Sequence, residues 1–155
     1  MRVAQREYWA DLNAALNAAK GPVAGNKKPQ PQGWMSYSVG RSHCHLGAVM
    51  IRPKRQIRAE LYLSGVNAKA FFGLLRRQKD AIERELGYQL DWEELPEGQD
   101  SRISSYLDDV DPEDKADWPR QHEWLAKRLN DFHRVFSDRV KALDPDAWQQ
   151  QGEPH

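Results

Sequence analysis

His43, Cys44 and His45 stand side by side, and all three are residue types that bind zinc. Alternation along a strand places His43 and His45 on one face and Cys44 on the other, so at most two can share an ion. A tetrahedral site needs two further ligands. The other histidines, His122, His133 and His155, fall on the last predicted helix or in the tail, and no CxxC or HExxH motif is present. The trio reads as a strand with one buried thiol and two surface imidazoles. No metal site is assigned.

Acids at strand spacing invite a second reading. A metal-dependent nuclease of the restriction type needs an acid on one strand and an acid-x-Lys pair on the next, to hold a divalent cation and orient water. Glu60 lies in a strand pattern, but Tyr62 stands where Lys would be; Asp91 and Glu93 alternate, but residue 95 is Leu. Glu113 and Lys115 have the spacing without a strand. The acid-rich run DDVDPEDKAD lacks the central Gly and the terminal Glu of a calcium loop. It reads as a solvated turn in which Asp117 N-caps the following helix. GxGxxG and GxxxxGK are both absent, so no nucleotide or other cofactor is expected. The serines, Ser36, Ser42, Ser64 and Ser101, have no nucleophile-elbow context.

Basic and aromatic residues interleave more suggestively. Lys27, Lys28, Arg41, Lys54, Arg55 and Arg58 alternate with Trp34, Tyr37 and Tyr62. Arg58, Glu60 and Tyr62 share one face of a strand, and if that face is open its aromatic and guanidinium groups form a platform for bases and phosphates. The competing reading pairs the basic segment with acids of the same domain and places the aromatics in the core.

Those acids exist, because a net charge of zero conceals a segregation. From Leu12 to Ala59 there are eight basic residues and no acid, whereas Asp80 to Glu123 carries fifteen acids and four bases. Such a dipolar chain folds its halves together or presents one pole to a partner. The partners in view are DNA or RNA, or a protein, including a second copy of this chain.

The elements that must position these residues follow from periodicity. Tyr8, Leu12, Ala15, Leu16 and Ala19 predict a helix over about 4–20, closed by Gly21-Pro22. An extended Pro- and Gly-rich loop follows. Strands are predicted at 34–39, 43–52 and 56–64, the last two an antiparallel hairpin turning at Pro53-Lys54. Asn67 N-caps one amphipathic helix that runs through Phe71, Phe72, Leu75, Ile82 and Leu86 and ends at Gly87. Strands at 88–95 and 101–107 form a second pair. Trp118, Leu125, Leu129, Phe132, Phe136, Val140 and Leu143 mark the longest helix. The prediction is an α+β domain over residues 4–143: about five mainly antiparallel strands and three helices, in the order α-β-β-β-α-β-β-α. Residues 144–155 are expected to form a mobile tail.

Hydrophobic residues at 39% and charged residues at 30% describe a highly charged globular chain with no apolar run near the roughly 18 residues of a membrane span. No membrane partner is expected. The charged N-terminus does not resemble a secretory leader, and the single Cys44 suits the reducing cytoplasm.

The run LYLSGVNAKAFFGLLRRQKDAIERELGYQLDWEELP resembles the signature of an uncharacterised bacterial and archaeal domain of unknown function. The matching positions are Leu61, Tyr62, Phe72, Leu75, Lys79, Ile82, Glu83, Gly87, Leu90, Trp92 and Leu95. Tyr8-Trp9, Trp34, Arg102-Ile103, Trp118, Trp124 and Phe136 extend the resemblance over about residues 6–143. That family occurs alone or C-terminal to restriction-endonuclease-like nuclease domains, which implies DNA processing or defence but supplies no catalytic residues. The expectation is a non-catalytic accessory domain that engages nucleic acid through Lys27, Lys28, Trp34, Arg41, Lys54, Arg55, Arg58 and Tyr62. The alternative is a protein-interaction module or homodimer using its charge poles or a sheet edge. A metal-dependent hydrolase built from Glu60, Asp91, Glu93 and the histidines ranks third.

Overall fold

The computed structural model describes residues 2–152, with side chains for residues 4–148. Helix α1 (Arg2–Ala19) is followed by a long loop, then strands β1 (Trp34–Arg41), β2 (Cys44–Ile51) and β3 (Gln56–Leu63). Helices α2 (Ala68–Arg76) and α3 (Lys79–Leu86) lead to β4 (Asp91–Glu93) and β5 (Ser101–Asp108). Two further helices close the chain, α4 (Trp118–Lys141) and α5 (Pro145–Gly152). The sheet order is β1-β2-β3-β5-β4, antiparallel throughout. The α+β class is as the periodicity predicts, with five α-helices among the described residues rather than three.

Alternation in the strands decides which face is the core. Met35, Tyr37 and Val39, Leu46, Ala48 and Met50, and Ile57, Ala59, Leu61 and Leu63 are buried on one side. Helix α4 lies across β1, β2 and β3 on that side and buries Leu125, Leu129, Phe132, Phe136 and Val140. Helix α1 packs on α4 through Tyr8, Trp9, Leu12 and Leu16. Side-chain amides sew the long loop to both helices: Asn13 donates to the Lys27 carbonyl at 2.6 Å, and the Val23 amide donates to Asn130 at 2.9 Å.

The structure departs from the predicted elements at five places. The strand expected over 88–95 is only Asp91–Glu93. The single helix expected over 67–86 breaks at Arg77-Gln78, because Gln78 leaves helical geometry (φ −100°, ψ 12°) and its side-chain carbonyl accepts from Arg139 of α4 at 3.0 Å. His43 is not in a strand: it occupies the β1–β2 turn at φ 66°, and β2 starts at Cys44. Asp117 stands at the start of α4 but caps no amide, since Arg120 and Gln121 take its carboxylate; Asp114, one turn earlier, accepts from the Ala116 amide. Where a mobile tail is expected from residue 144, α5 forms and sets the Trp148 indole against Gly73 of α2, where a Cβ would stand only 2.4 Å from the ring. Residues 153–155 lie outside the described residues.

Two polar hubs hold the α2–β5 region. Lys69 donates to the carbonyls of Glu94, Leu95 and Asp100 and to the Ser101 hydroxyl, pinning the β4–β5 loop to α2. Glu83 accepts from Lys79 Nζ at 2.9 Å, the Leu90 amide at 2.9 Å and Trp92 Nε1 at 3.0 Å, tying α3 to the turn after it and to β4. Partial burial raises the Glu83 pKa, but these donors outweigh it and hold the carboxyl below its ordinary range. Such a group stabilises the fold above its unfolded pKa of 4.5, and that contribution is lost as pH falls through the lower folded value. Glu83→Ala should therefore cost about 1–3 kcal/mol near neutral pH in urea unfolding, with wild type and variant converging in acid. Equal stability at neutral pH would contradict this account.

Candidate functional site

All the helices pack on one side of the sheet or around its edge, which leaves the other side as a grid of outward side chains. Its rows follow from strand register. Trp34, Val49, Arg58 and Tyr106 form one row; Ser36, Gly47, Glu60, Ser104 and Asp91 the next; Ser38, His45, Tyr62, Arg102 and Glu93 the third. Trp34 is 53% exposed, which is unusual for a tryptophan.

A groove of about 320 Å³ opens on the β1–β3 half of this grid, lined by Trp34, Ser36, His45, Val49, Glu60 and Tyr62. Its floor is Gly47. A Cβ at that position would stand 2.8 Å from Glu60 Oε2, so only glycine lets the carboxylate lie flat over the neighbouring strand. Glu60 is buried despite facing outward, and its Oε1 accepts from Arg58 Nε at 2.7 Å. The Arg58 guanidinium rests over the Tyr106 ring at 5.7 Å. His45 stacks on Tyr62 with ring centroids 5.2 Å apart, and Tyr62 donates to Asp100 at 2.8 Å. Aromatic walls thus flank a polar floor.

The β4–β5 half is acidic and internally satisfied. Glu93 accepts from Arg102 Nε at 2.9 Å and from the Tyr106 hydroxyl at 2.8 Å. Burial raises its pKa, but Arg102 and Tyr106 more than offset this and keep the carboxyl below its usual range. Asp91 is raised by burial and by the nearby charges of Glu93 and Asp108. The buried Ser104 hydroxyl acts on Glu93 in the same lowering direction as Arg102 and Tyr106.

The proposed site residues divide accordingly. Trp34, Arg58 and Tyr62 are brought together at the groove. Lys54 and Arg55 stand in the turn that joins β2 to β3, at the end of the grid nearest Arg58, with Arg55 3.8 Å from Asp111. Lys27 lies in the long loop, close enough to His45 to act on its charge; Lys28 follows it. Arg41 is elsewhere: it donates to the Val140 and Leu143 carbonyls at 2.8 and 2.6 Å and covers Phe71, so it closes the C-terminus of α4. Tyr37 is core, bonded to Asn13. Ser36, His45, Gly47 and Tyr106 are the groove and grid residues that sequence reasoning missed. The alternation that set His45 opposite Cys44, carried along β2, puts Gly47 and Val49 on the same outward face.

Cys44 is buried, and its thiol is pushed up to about 11 by that burial, partly offset by Arg41. Among the described residues no group of three His, Cys, Asp or Glu side chains is disposed to hold a metal ion. Among them, too, no helix is long and apolar enough to cross a membrane. A second, larger groove of about 880 Å³ runs between α1 and α4, with an apolar floor of alanines and Trp118. Two of its rim cations, Lys127 and Arg134, pair with Asp131, and Lys115 pairs with Glu7.

A protein-family model matches most of the chain. The model of DUF4268, a domain of unknown function, covers residues 4–140. The chain belongs to that family. Neither the curated proteins nor the solved structures yielded a match.

His45 supplies a test of the groove's burial. Desolvation is the largest influence and lowers its pKa below 6.5; Lys27 acts the same way, and Glu60 and Asp100 oppose it. The folded state then binds this proton less readily than the unfolded chain, so stability falls as pH drops below about 6.5. His45→Phe keeps the ring on Tyr62 and removes the proton site. Its melting temperature should fall less steeply than that of wild type between about pH 6.5 and 5, the remaining slope coming from His122 and His133, which burial also lowers. An unaltered slope would place His45 in open solvent.

Proposed function

We propose that the open sheet face binds single-stranded nucleic acid as a non-catalytic accessory surface, in a cytoplasmic DNA-processing or defence setting. The observation that carries this reading is the groove itself: exposed Trp34 opposite the His45–Tyr62 stack, over a floor that bears Arg58 and Glu60. Base stacking on aromatic side chains is worth about 1–3 kcal/mol per base and tolerates any sequence. Lys54 and Arg55 at one end supply phosphate contacts, and the charge of Lys27, felt at His45, adds to the attraction. The acids of β4 and β5 repel phosphate and confine the strand to the β1–β3 half. The resemblance to domains that accompany nucleases supports the setting, and the reducing-compartment signature of Cys44 supports the location.

Arg58 has a different role from the lysines, since its charge is already joined to Glu60. Reversing it would strand a buried carboxylate, so it is a poor probe of phosphate contact. The test is fluorescence anisotropy with short single-stranded DNA and RNA at about 50 and 200 mM salt, where counterion release makes affinity fall steeply as salt rises. Trp34→Ala should weaken binding at least about fivefold, the lower end of the stacking range. Lys54→Glu with Arg55→Glu should weaken it and flatten the salt dependence. Wild-type affinity in both variants would overturn the reading.

The groove between α1 and α4 favours a second reading, a protein partner or a second copy of the chain, because its alanine-rich floor is apolar and contiguous. Light scattering that gives twice the monomer mass, abolished by Ala15→Glu, would support it.

A further inference from the structure

Resting on the nucleic-acid reading, we infer that the groove over Gly47 selects guanine. A base stacked on the exposed Trp34 ring would turn one edge toward the Arg58–Glu60 pair on the groove floor. Glu60 offers acceptors only. Its Oε1 already accepts from Arg58, and no hydrogen bond from the described residues reaches Oε2, which lies above Gly47. Arg58 has its Nε committed to that carboxylate and part of its guanidinium directed to Tyr106, which leaves its other N–H groups as donors toward the groove.

A base matching this floor must present donors to a carboxylate and a carbonyl acceptor to a guanidinium. Guanine does so on one edge, with N1–H and the N2 amino group adjacent to O6. Adenine and cytosine each bring a single amino donor beside a ring nitrogen that repels a carboxylate, and uracil or thymine brings a single N–H. The charge of Glu60 strengthens the contrast, since a hydrogen bond to an ionised group is about twice as strong as a neutral one. Burial strengthens it again, because an acceptor sealed under a base with no donor loses its water without replacement.

Glu60 is then the specificity-determining residue and Gly47 the residue that makes room for it. Any side chain at 47 would displace the carboxylate from the groove floor. Ser36, the cross-strand neighbour of Gly47, borders the same space from β1.

The experiment measures anisotropy with a short oligothymidine strand and with the same strand carrying one central guanine, adenine or cytosine, and competes each with guanosine or adenosine monophosphate. The guanine strand should bind at least about fivefold tighter than the others, as expected for a bidentate base contact. Glu60→Gln should erase that preference, bringing the guanine strand to the affinity of the other three strands measured on the same variant. Because Glu60→Gln leaves Arg58 without its charged partner and risks the fold, Ser36→Leu serves as the second variant; it covers Gly47 from a half-buried position and should also erase the preference. Salt-sensitive binding of all four strands with equal affinity would overturn the guanine assignment and leave the nucleic-acid reading intact. Guanosine monophosphate that displaces the guanine strand no better than adenosine monophosphate would likewise overturn the guanine assignment. Binding by none of the strands at low salt overturns both readings.

Discussion

The packing of α4 across the inner face of β1, β2 and β3 is the contact on which the rest of the molecule depends. Leu125, Leu129, Phe132, Phe136 and Val140 meet the buried stripe of β3 at Ile57, Ala59, Leu61 and Leu63. Apolar burial at roughly 25 cal/mol per Å² makes this the dominant favourable term. Its consequence is geometric. Because α1 packs on α4 and α2 and α3 gather at the same side, the outer face has no helix of its own to meet. Arg58, Glu60 and Tyr62 alternate with the core residues of the same strand, so a fully buried stripe on β3 obliges a polar one behind it.

The segregated charges are joined at the seam where β3 meets β5. Gln56 reaches Asp108, Tyr62 reaches Asp100, and Arg58 lies over Tyr106, which itself donates to Glu93. Arg55 approaches Asp111 at the turn. The two poles therefore sit side by side within one sheet, the β1–β3 strands on one flank and the acidic β4–β5 pair on the other. They are neither separated into lobes nor fully cancelled. Lys27, Lys28 and Lys54 make none of these seam contacts. This arrangement leaves a polarised surface whose groove lies on the less acidic side, which is where a phosphate backbone would be tolerated.

Much of this is legible in the sequence, for local reasons. Period-two alternation in β3 assigns Arg58, Glu60 and Tyr62 to a common face, the spacing of α4 identifies its buried side, and Gly87 ends α3 in the left-handed region at φ 86°. What is hidden depends on contacts between distant residues. Arg41 looks like a surface cation and instead closes α4 about a hundred residues away. The α2–α3 break needs Arg139, and α5 needs the space beside Gly73. Gly47 gives no sign that it is the floor of a site, because its role exists only once Glu60 is paired opposite it. Glu83 is prominent in the family-like run, and Lys79 is its legible partner one turn earlier, but the Leu90 amide and Trp92 Nε1 reach it only once the chain turns back after α3.

The central claim is that the open sheet face, not the helical layer, is the working surface. The most direct test is an amide nitrogen–proton correlation spectrum of the protein titrated with a short single-stranded oligonucleotide. The account predicts shifts concentrated in residues 34–38, 45–49 and 58–62, with the 52–55 turn responding in a salt-dependent way. Shifts confined to α1 and α4 around Ala15, Trp118 and Ala126, or no shifts at low salt, would contradict it.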